Sequence, residues 1–168
     1  MQVTEYIQRQ VAAGHRTVAG VLSDLTEDQL NWVPQGTANT IGAVLLHFAA
    51  GEDTFIQTFI QGRPLLFETQ GWSDRVGIRP PSIREDWRYV REHRLKVEPL
   101  AEYLKAVQAA TVEYLNGLTE EELSRTVKAF GGERQVADVL TVLVAHCCEH
   151  AGEIAALKGI QGAKGMQI

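Results

Sequence analysis

The sequence predicts an all-α protein: a four-helix bundle with a long crossover between its second and third helices. Four segments repeat apolar residues every three or four positions. No run between them alternates as a half-buried strand bounded by hairpin turns. The last segment is apolar on most of its surface, as a helix central to a core must be. A chain of 168 residues with 45% hydrophobic and 22% charged content suits one domain, 1–168, with a substantial core. Only the tail from Gln161 to Ile168 is a candidate for disorder.

The first helix is expected from about Thr4 to Asp24, on the stripe Ile7, Val11, Val18, Val21, Leu22 and Leu25. The second opens at Asn39 or Thr40, both good N-caps, and continues to about Ile60 through Ile41, Val44, Leu45, Phe48, Phe55 and Phe59. The third runs from about Pro99, tolerated in a first turn, to Asn116, with Gly117 as a stop. The fourth begins near Val136 and ends near Lys158 and Gly159.

Two short connections share their wording. Leu25-Thr26-Glu27-Asp28-Gln29-Leu30 follows the first helix and Leu118-Thr119-Glu120-Glu121-Glu122-Leu123 follows the third. Each reads as a capping box, with Thr at the cap and Gln29 or Glu122 three residues on. The two halves then form a weak repeat of helix, capped turn and histidine-bearing helix. Aligning His47 with His146 sets Gly51 opposite His150, so glycine occupies the fourth equivalent place. The middle connection, Gln61 to Glu98, is long enough to be functional or an interface. A further capping box, Ser82-Ile83-Arg84-Glu85, predicts a helix there that runs through Val97 into the third helix. Trp72 and Trp87 in this crossover suit either a dimer surface or a cover for the core.

The net charge of -5 argues against nucleic acid or an anionic membrane as the main partner. The N-terminus lacks the apolar stretch of a signal peptide, and no apolar run approaches the roughly 18 residues that span a bilayer, so the cytoplasm is the expected location. Cys147 and Cys148 are adjacent, which makes a structural disulfide between them implausible. No glycine-rich phosphate loop opens a helix, and no Gly-x-Ser-x-Gly elbow supports a serine hydrolase.

Three histidines carry the chemistry. His146 and His150 are four residues apart, which places two imidazoles on one helix face with Cβ atoms about 6 Å apart. Such a pair can grip one divalent cation. His47 lies in a second apolar run, Leu45-Leu46-His47-Phe48, where a buried imidazole needs a partner. A metal would partner all three at once, and neutral imidazoles suit Zn²⁺, Ni²⁺, Fe²⁺ or Cu²⁺ better than Mg²⁺ or Ca²⁺. The bland alternative is one core and one surface histidine on the fourth helix. His15, on the apolar stripe of the first helix, reads as a satisfied core or rim residue, and His93, in a charged run, as solvated. Glu52, Asp53, Glu149 and Glu153 stand near the histidines; Glu52 and Glu153 are the weak candidates for a general base, Glu153 also for orienting His150. Cys147, about 100° around the helix from His146, reads as small apolar filling instead of a ligand.

These residues together resemble the DinB/YfiT-like superfamily of bacterial four-helix proteins. The matching pieces are Leu25-Thr26-Glu27-Asp28-Gln29-Leu30-Asn31-Trp32, Asn39-Thr40-Ile41-Gly42 leading to His47, then His146, His150-Ala151-Gly152-Glu153-Ile154 and Leu157-Lys158-Gly159-Ile160-Gln161-Gly162. They span nearly the whole chain in the family's order. The resemblance implies an up-up-down-down bundle, often a homodimer, and a divalent metal, typically zinc or nickel, on His47, His146 and His150. It also implies the chemistry of its characterised members, which include transferases and isomerases using low-molecular-weight thiols such as bacillithiol or mycothiol. The segment from Gln61 to Glu98 matches no family motif. The leading expectation is therefore a metal-dependent enzyme acting on a small molecule, a thiol transferase or a hydrolase. The rivals are a non-catalytic metal-binding or stress-related dimer and a metal-free bundle.

Overall fold

The computed structural model describes residues 1–79 and 87–166, and these are mostly helical. Helix α1 (Val3–Leu22) buries Val11, Gly14, Val18 and Val21 along one stripe. Helix α2 (Glu27–Asn31) opens with the expected capping box: Gln29 N donates to Thr26 Oγ1 at 3.2 Å and Thr26 N donates to Gln29 Oε1 at 3.0 Å.

Helix α3 (Ile41–Asp53) is capped by Thr40, whose hydroxyl accepts from Ala43 N at 3.1 Å. Every α3 residue except His47 is buried, so its acidic side chains must find partners inside the protein. Asp53 accepts from Leu66 N at 3.1 Å, Phe67 N at 3.0 Å and Tyr103 Oη at 2.9 Å. One carboxylate thereby ties the start of the long crossover to the core, although burial raises its pKa against those bonds. Beyond Asp53 the helix widens into a π-helical turn (Thr54–Ile60), with Gln61 N donating to Ile56 O at 3.2 Å. Such turns are enriched at functional sites, and here the segment stacks Phe55 and Phe59 with ring centroids 6.0 Å apart.

The crossover carries α4 (Leu66–Thr69), α5 (Trp72–Val76) and a 3₁₀ turn (Trp87–Glu92). Trp72 is buried and packs on Tyr103, with centroids 5.6 Å apart, so it covers the core. The Ser82–Glu85 capping box lies outside the described residues. The expected continuous helix through Val97 does not form. Asn31 captures the backbone of Leu95 instead, accepting from Leu95 N at 2.7 Å and donating to Leu95 O at 2.9 Å, and Lys96 is extended. A side chain from α2 thus satisfies groups that a helix would have paired.

Helix α6 (Val97–Asn116) ends at Gly117, and α7 (Glu120–Ser124) starts at Thr119, whose hydroxyl accepts from Glu122 N at 3.1 Å. The second capping box is only half made. The Glu122 carboxylate turns to Tyr114 Oη at 2.8 Å and to Arg125, and Arg125 also donates to Ile60 O at 2.8 Å. A hairpin follows that the sequence pattern did not announce: β1 (Thr126–Ala129) pairs antiparallel with β2 (Gly132–Gln135). Four-residue strands, the second facing solvent, leave too little alternation to read. Its two-residue turn has positive φ at Phe130 (53°) and Gly131 (83°), the tight turn that matches strand twist.

Helix α8 (Val136–Ile160) packs along α1 and α3; α3 also meets α6, and α6 meets α1, around one hydrophobic core. By length and composition α8 could cross a bilayer, with a mean hydropathy of 1.2 over 18 residues, a segment the sequence reading did not anticipate. Here its inward face is core. Near its end the buried Lys158 donates to Val21 O at 2.9 Å and pairs with Asp24, fastening α8 to the end of α1. Burying a ring such as Phe48 completely contributes roughly 2–3 kcal/mol, so the α3–α8 seam is among the firmest parts of the molecule.

Candidate metal centre

The α3–α8 seam brings the three predicted histidines together. His47 comes from α3, and His146 and His150 from successive turns of α8. One ligand nitrogen from each lies within 4.8 Å of the others. His47 Nε2 and His146 Nε2 are 3.4 Å apart, and the His146 and His150 ring centroids 4.4 Å apart. His146 is the buried member, whereas His47 and His150 are half-buried, so the cluster sits at an edge of the core with one side toward solvent.

Two of the rings are held neutral. Burial, with His150 alongside, lowers the His47 pKa to about 4. Burial, with His150 and His47 alongside, lowers His146 to about 3. Their lone pairs are therefore available near neutral pH. His146 Nε2 faces His47 Nε2 at 3.4 Å, so a cation between the two neutral rings could meet both lone pairs, while the buried His146 Nδ1 has no hydrogen-bond partner among the described residues. Glu153 Oε2 lies 3.0 Å from His150 Nδ1, which fixes the proton on Nδ1 and leaves Nε2 as the donor.

These pKa values set a pH dependence. Both folded pKa values lie below the ordinary 6.5, so below about pH 6.5 the unfolded chain takes up protons that the native state refuses. Stability of the metal-free protein is expected to be flat above that pH and to fall as the pH drops toward 4 and then 3. Urea unfolding at a series of pH values checks this, and His146→Gln should make the fall shallower; an identical slope in the variant would contradict the assignment.

The rest of the site was not legible in the sequence. Gly51, one turn after His47, passes so close to His146 that a Cβ there would lie 2.6 Å from Cε1. The repeat had suggested Gly51 as a blank fourth position; it serves instead to admit the His146 ring. Phe48 and Phe55 flank that ring, with centroids 5.5 and 5.4 Å away, and Phe130 from the hairpin packs edge-on to Phe55 at 5.2 Å. The Phe130-Gly131 turn was the only sequence signal for this wall.

The other named candidates lie apart. Glu52 is fully buried and binds His15 Nε2 at 2.9 Å and the Thr111 hydroxyl at 2.6 Å. Asp53 faces the crossover, as described above. Glu149 and Cys148 are exposed, whereas Cys147 is buried, its thiol pKa pushed up by burial and by nearby Glu52. His93 is exposed, with Nδ1 3.0 Å from Tyr89 O.

Imidazoles converging from two packed helices, in a mostly helical protein with a short hairpin at one end, define a helical scaffold whose histidine cluster could hold a divalent metal ion. The family model of the DinB superfamily matches residues 10–154, and the chain belongs to that superfamily. A conserved protein from Enterococcus faecalis has a similar fold, with a TM-score of 0.78 and 22% identity over 96% of this chain and 99% of that one. A DinB-like protein from Bacillus cereus is similar with a TM-score of 0.68 and 17% identity, covering 98% of this chain and 96% of that one. At these identities the likeness concerns the fold. No curated protein matches the chain.

Proposed function

We propose that the protein is a divalent-metal-dependent enzyme of the thiol-transferase type, acting on a small electrophile with a low-molecular-weight thiol as cosubstrate. The observation that carries this reading is the three-histidine cluster with one side toward solvent: three protein donors, all neutral or tautomer-fixed imidazoles, leave coordination room for a cosubstrate. His47, His146 and His150 would hold the ion; imidazole donors suit zinc, nickel, iron or copper, and the family resemblance points to zinc or nickel. When bound, such an ion supplies Lewis acidity that makes a thiol or a water more acidic.

The chain's own residues do the remaining work. Glu153 orients His150, and at 41% side-chain exposure it stands where it can also take a proton from an incoming group. Phe48 and Phe55 keep water from the buried side of the rings. Beyond them, Phe59 and Phe130 pack on Phe55 and line a pocket of about 360 Å³ at the hairpin that none of the three histidines lines. Glu52 takes no step in this scheme, since its side chain turns to His15 and Thr111 instead of the three histidines. The same reading includes an up-up-down-down order of the helices, a cytoplasmic homodimer and a small-molecule substrate.

Protein purified without a histidine tag is expected to carry metal and to consume thiol in the presence of electrophilic acceptors, and His47→Ala should abolish both the turnover and one equivalent of metal. Full metal retention in His47→Ala would remove the ligand assignment. Metal binding without turnover across thiols and acceptors would leave a non-catalytic metal-binding bundle as the reading.

A further inference from the structure

A second polar cluster lies where all four long helices meet. His15 comes from α1, Glu52 from α3, Thr111 from α6 and Cys147 from α8. Glu52, Thr111 and Cys147 are entirely buried, and the His15 side chain is 11% exposed. One ligand atom each from His15, Glu52 and Cys147 lies within 4.8 Å of the others. Successive helix residues point about 100° apart. Gly51 and His146 therefore face the first cluster while their neighbours Glu52 and Cys147 face this one, across the same helix pair.

The hydrogen bonding here is lopsided. Both His15 Nε2 and the Thr111 hydroxyl crowd onto Glu52 Oε1, at 2.9 and 2.6 Å. Glu52 Oε2 is buried with no hydrogen-bond partner among the described residues. A fully buried carboxylate with one oxygen unmet is costly unless something else answers it. Gly14 adds a close approach on the same side: a Cβ there would lie 2.8 Å from Cys147 Cβ and 3.1 Å from Sγ, so only glycine lets α1 bring His15 beside the thiol at this spacing.

We propose that His15, Glu52 and Cys147 form a second metal site, a buried three-donor site for a zinc-class divalent cation at the centre of the bundle. Imidazole nitrogen, carboxylate oxygen and thiolate sulfur are all zinc donors, and they exclude magnesium and calcium by the presence of sulfur. Charge balances: one carboxylate and one thiolate neutralise a dication, so the loaded site leaves no net buried charge. On binding, the thiol proton leaves to solvent and His15 binds as neutral imidazole. The 2.9 Å His15–Glu52 contact needs to open only to about 3.3 Å, the edge of a tetrahedron with bonds near 2 Å. Thr111 stays in place as a donor to the ligating carboxylate.

The test is cobalt spectroscopy and metal counting on full-length protein produced in cobalt-supplemented medium. Two equivalents of metal per chain and a thiolate-to-cobalt charge-transfer band are expected in the wild type. Cys147→Ser should lose the band and one equivalent while keeping its helical circular dichroism; Cys148→Ser should keep both. His150→Ala should lose one equivalent and keep the band, which separates this site from the three-histidine centre. Absence of the band in folded wild-type protein, or its persistence in Cys147→Ser, would overturn the proposal. Should Cys147→Ser fail to fold, Glu52→Gln provides the same reading: the loss of one equivalent supports the site and full retention rejects it.

Discussion

His146→Ala is expected to empty the three-histidine centre. The ring is the buried member of the cluster, and its neutral state is enforced by burial. Loss of an outer partner of a metal ligand typically costs about 10–100-fold in affinity, so loss of the ligand itself should exceed about 100-fold. The variant should still fold. Truncating a large buried side chain costs about 2–5 kcal/mol, but His146 Nδ1 has no partner among the described residues, and removing an unmet polar atom returns about 1–3 kcal/mol. A net destabilisation of at most about 4 kcal/mol in metal-free buffer is therefore expected, beside a fall of one metal equivalent per chain. His93→Ala, outside the cluster, should retain its metal. Unchanged metal content in His146→Ala would refute the assignment.

Gly51→Ala is expected to destabilise the protein and weaken the same centre by about 10-fold or more, even though alanine is the better helix former. In an open helix the exchange gains roughly 0.5–1 kcal/mol. At position 51 the new Cβ would meet His146 at 2.6 Å from Cε1 and 3.2 Å from Nε2. That ring is wedged between Phe48 and Phe55 and has little freedom to retreat. Overpacking of this kind costs about 1–3 kcal/mol, which outweighs the helix gain. Gly20→Ala in α1, where nothing lies within 4 Å, provides the contrast and should stabilise by about 0.5–1 kcal/mol. Thermal unfolding with metal titration reads both effects. A stabilised Gly51→Ala with unchanged metal affinity would show that the close approach has no bearing on the site.

Much of the helical framework was legible because local rules write it. The Thr26–Gln29 box and the Thr40 cap act over three residues, and the apolar stripes of α1 and α6 reflect one buried face each. The spacing of His146 and His150 likewise follows from helix geometry alone. Where a local rule failed, a distant group had intervened. Asn31 took the Leu95 backbone and broke the expected helix, and Arg125 drew Glu122 away from its cap. The hairpin was missed because a strand of four residues facing solvent leaves no periodicity to detect.

The polar residues divide in the same way. Helical spacing was enough to pair His146 with His150, and the apolar run around His47, with the ordered family pattern, added the third histidine. It could not tell that Glu52 is a core residue, because an acidic side chain on an apolar helix reads as surface until the other helices are in place. Nor could it distinguish Gly51 as the residue that admits an imidazole, since that role exists only once α3 lies against α8. The sequence by itself determined the three-histidine set as metal-binding candidates and the helices on which they stand. Only the tertiary structure decided which donors share a cluster, how deeply each is buried and which protonation state burial enforces. The physical reason is range: helix periodicity and capping act within a few residues, while desolvation and convergence depend on atoms about a hundred residues apart in the chain, such as His47 and His146.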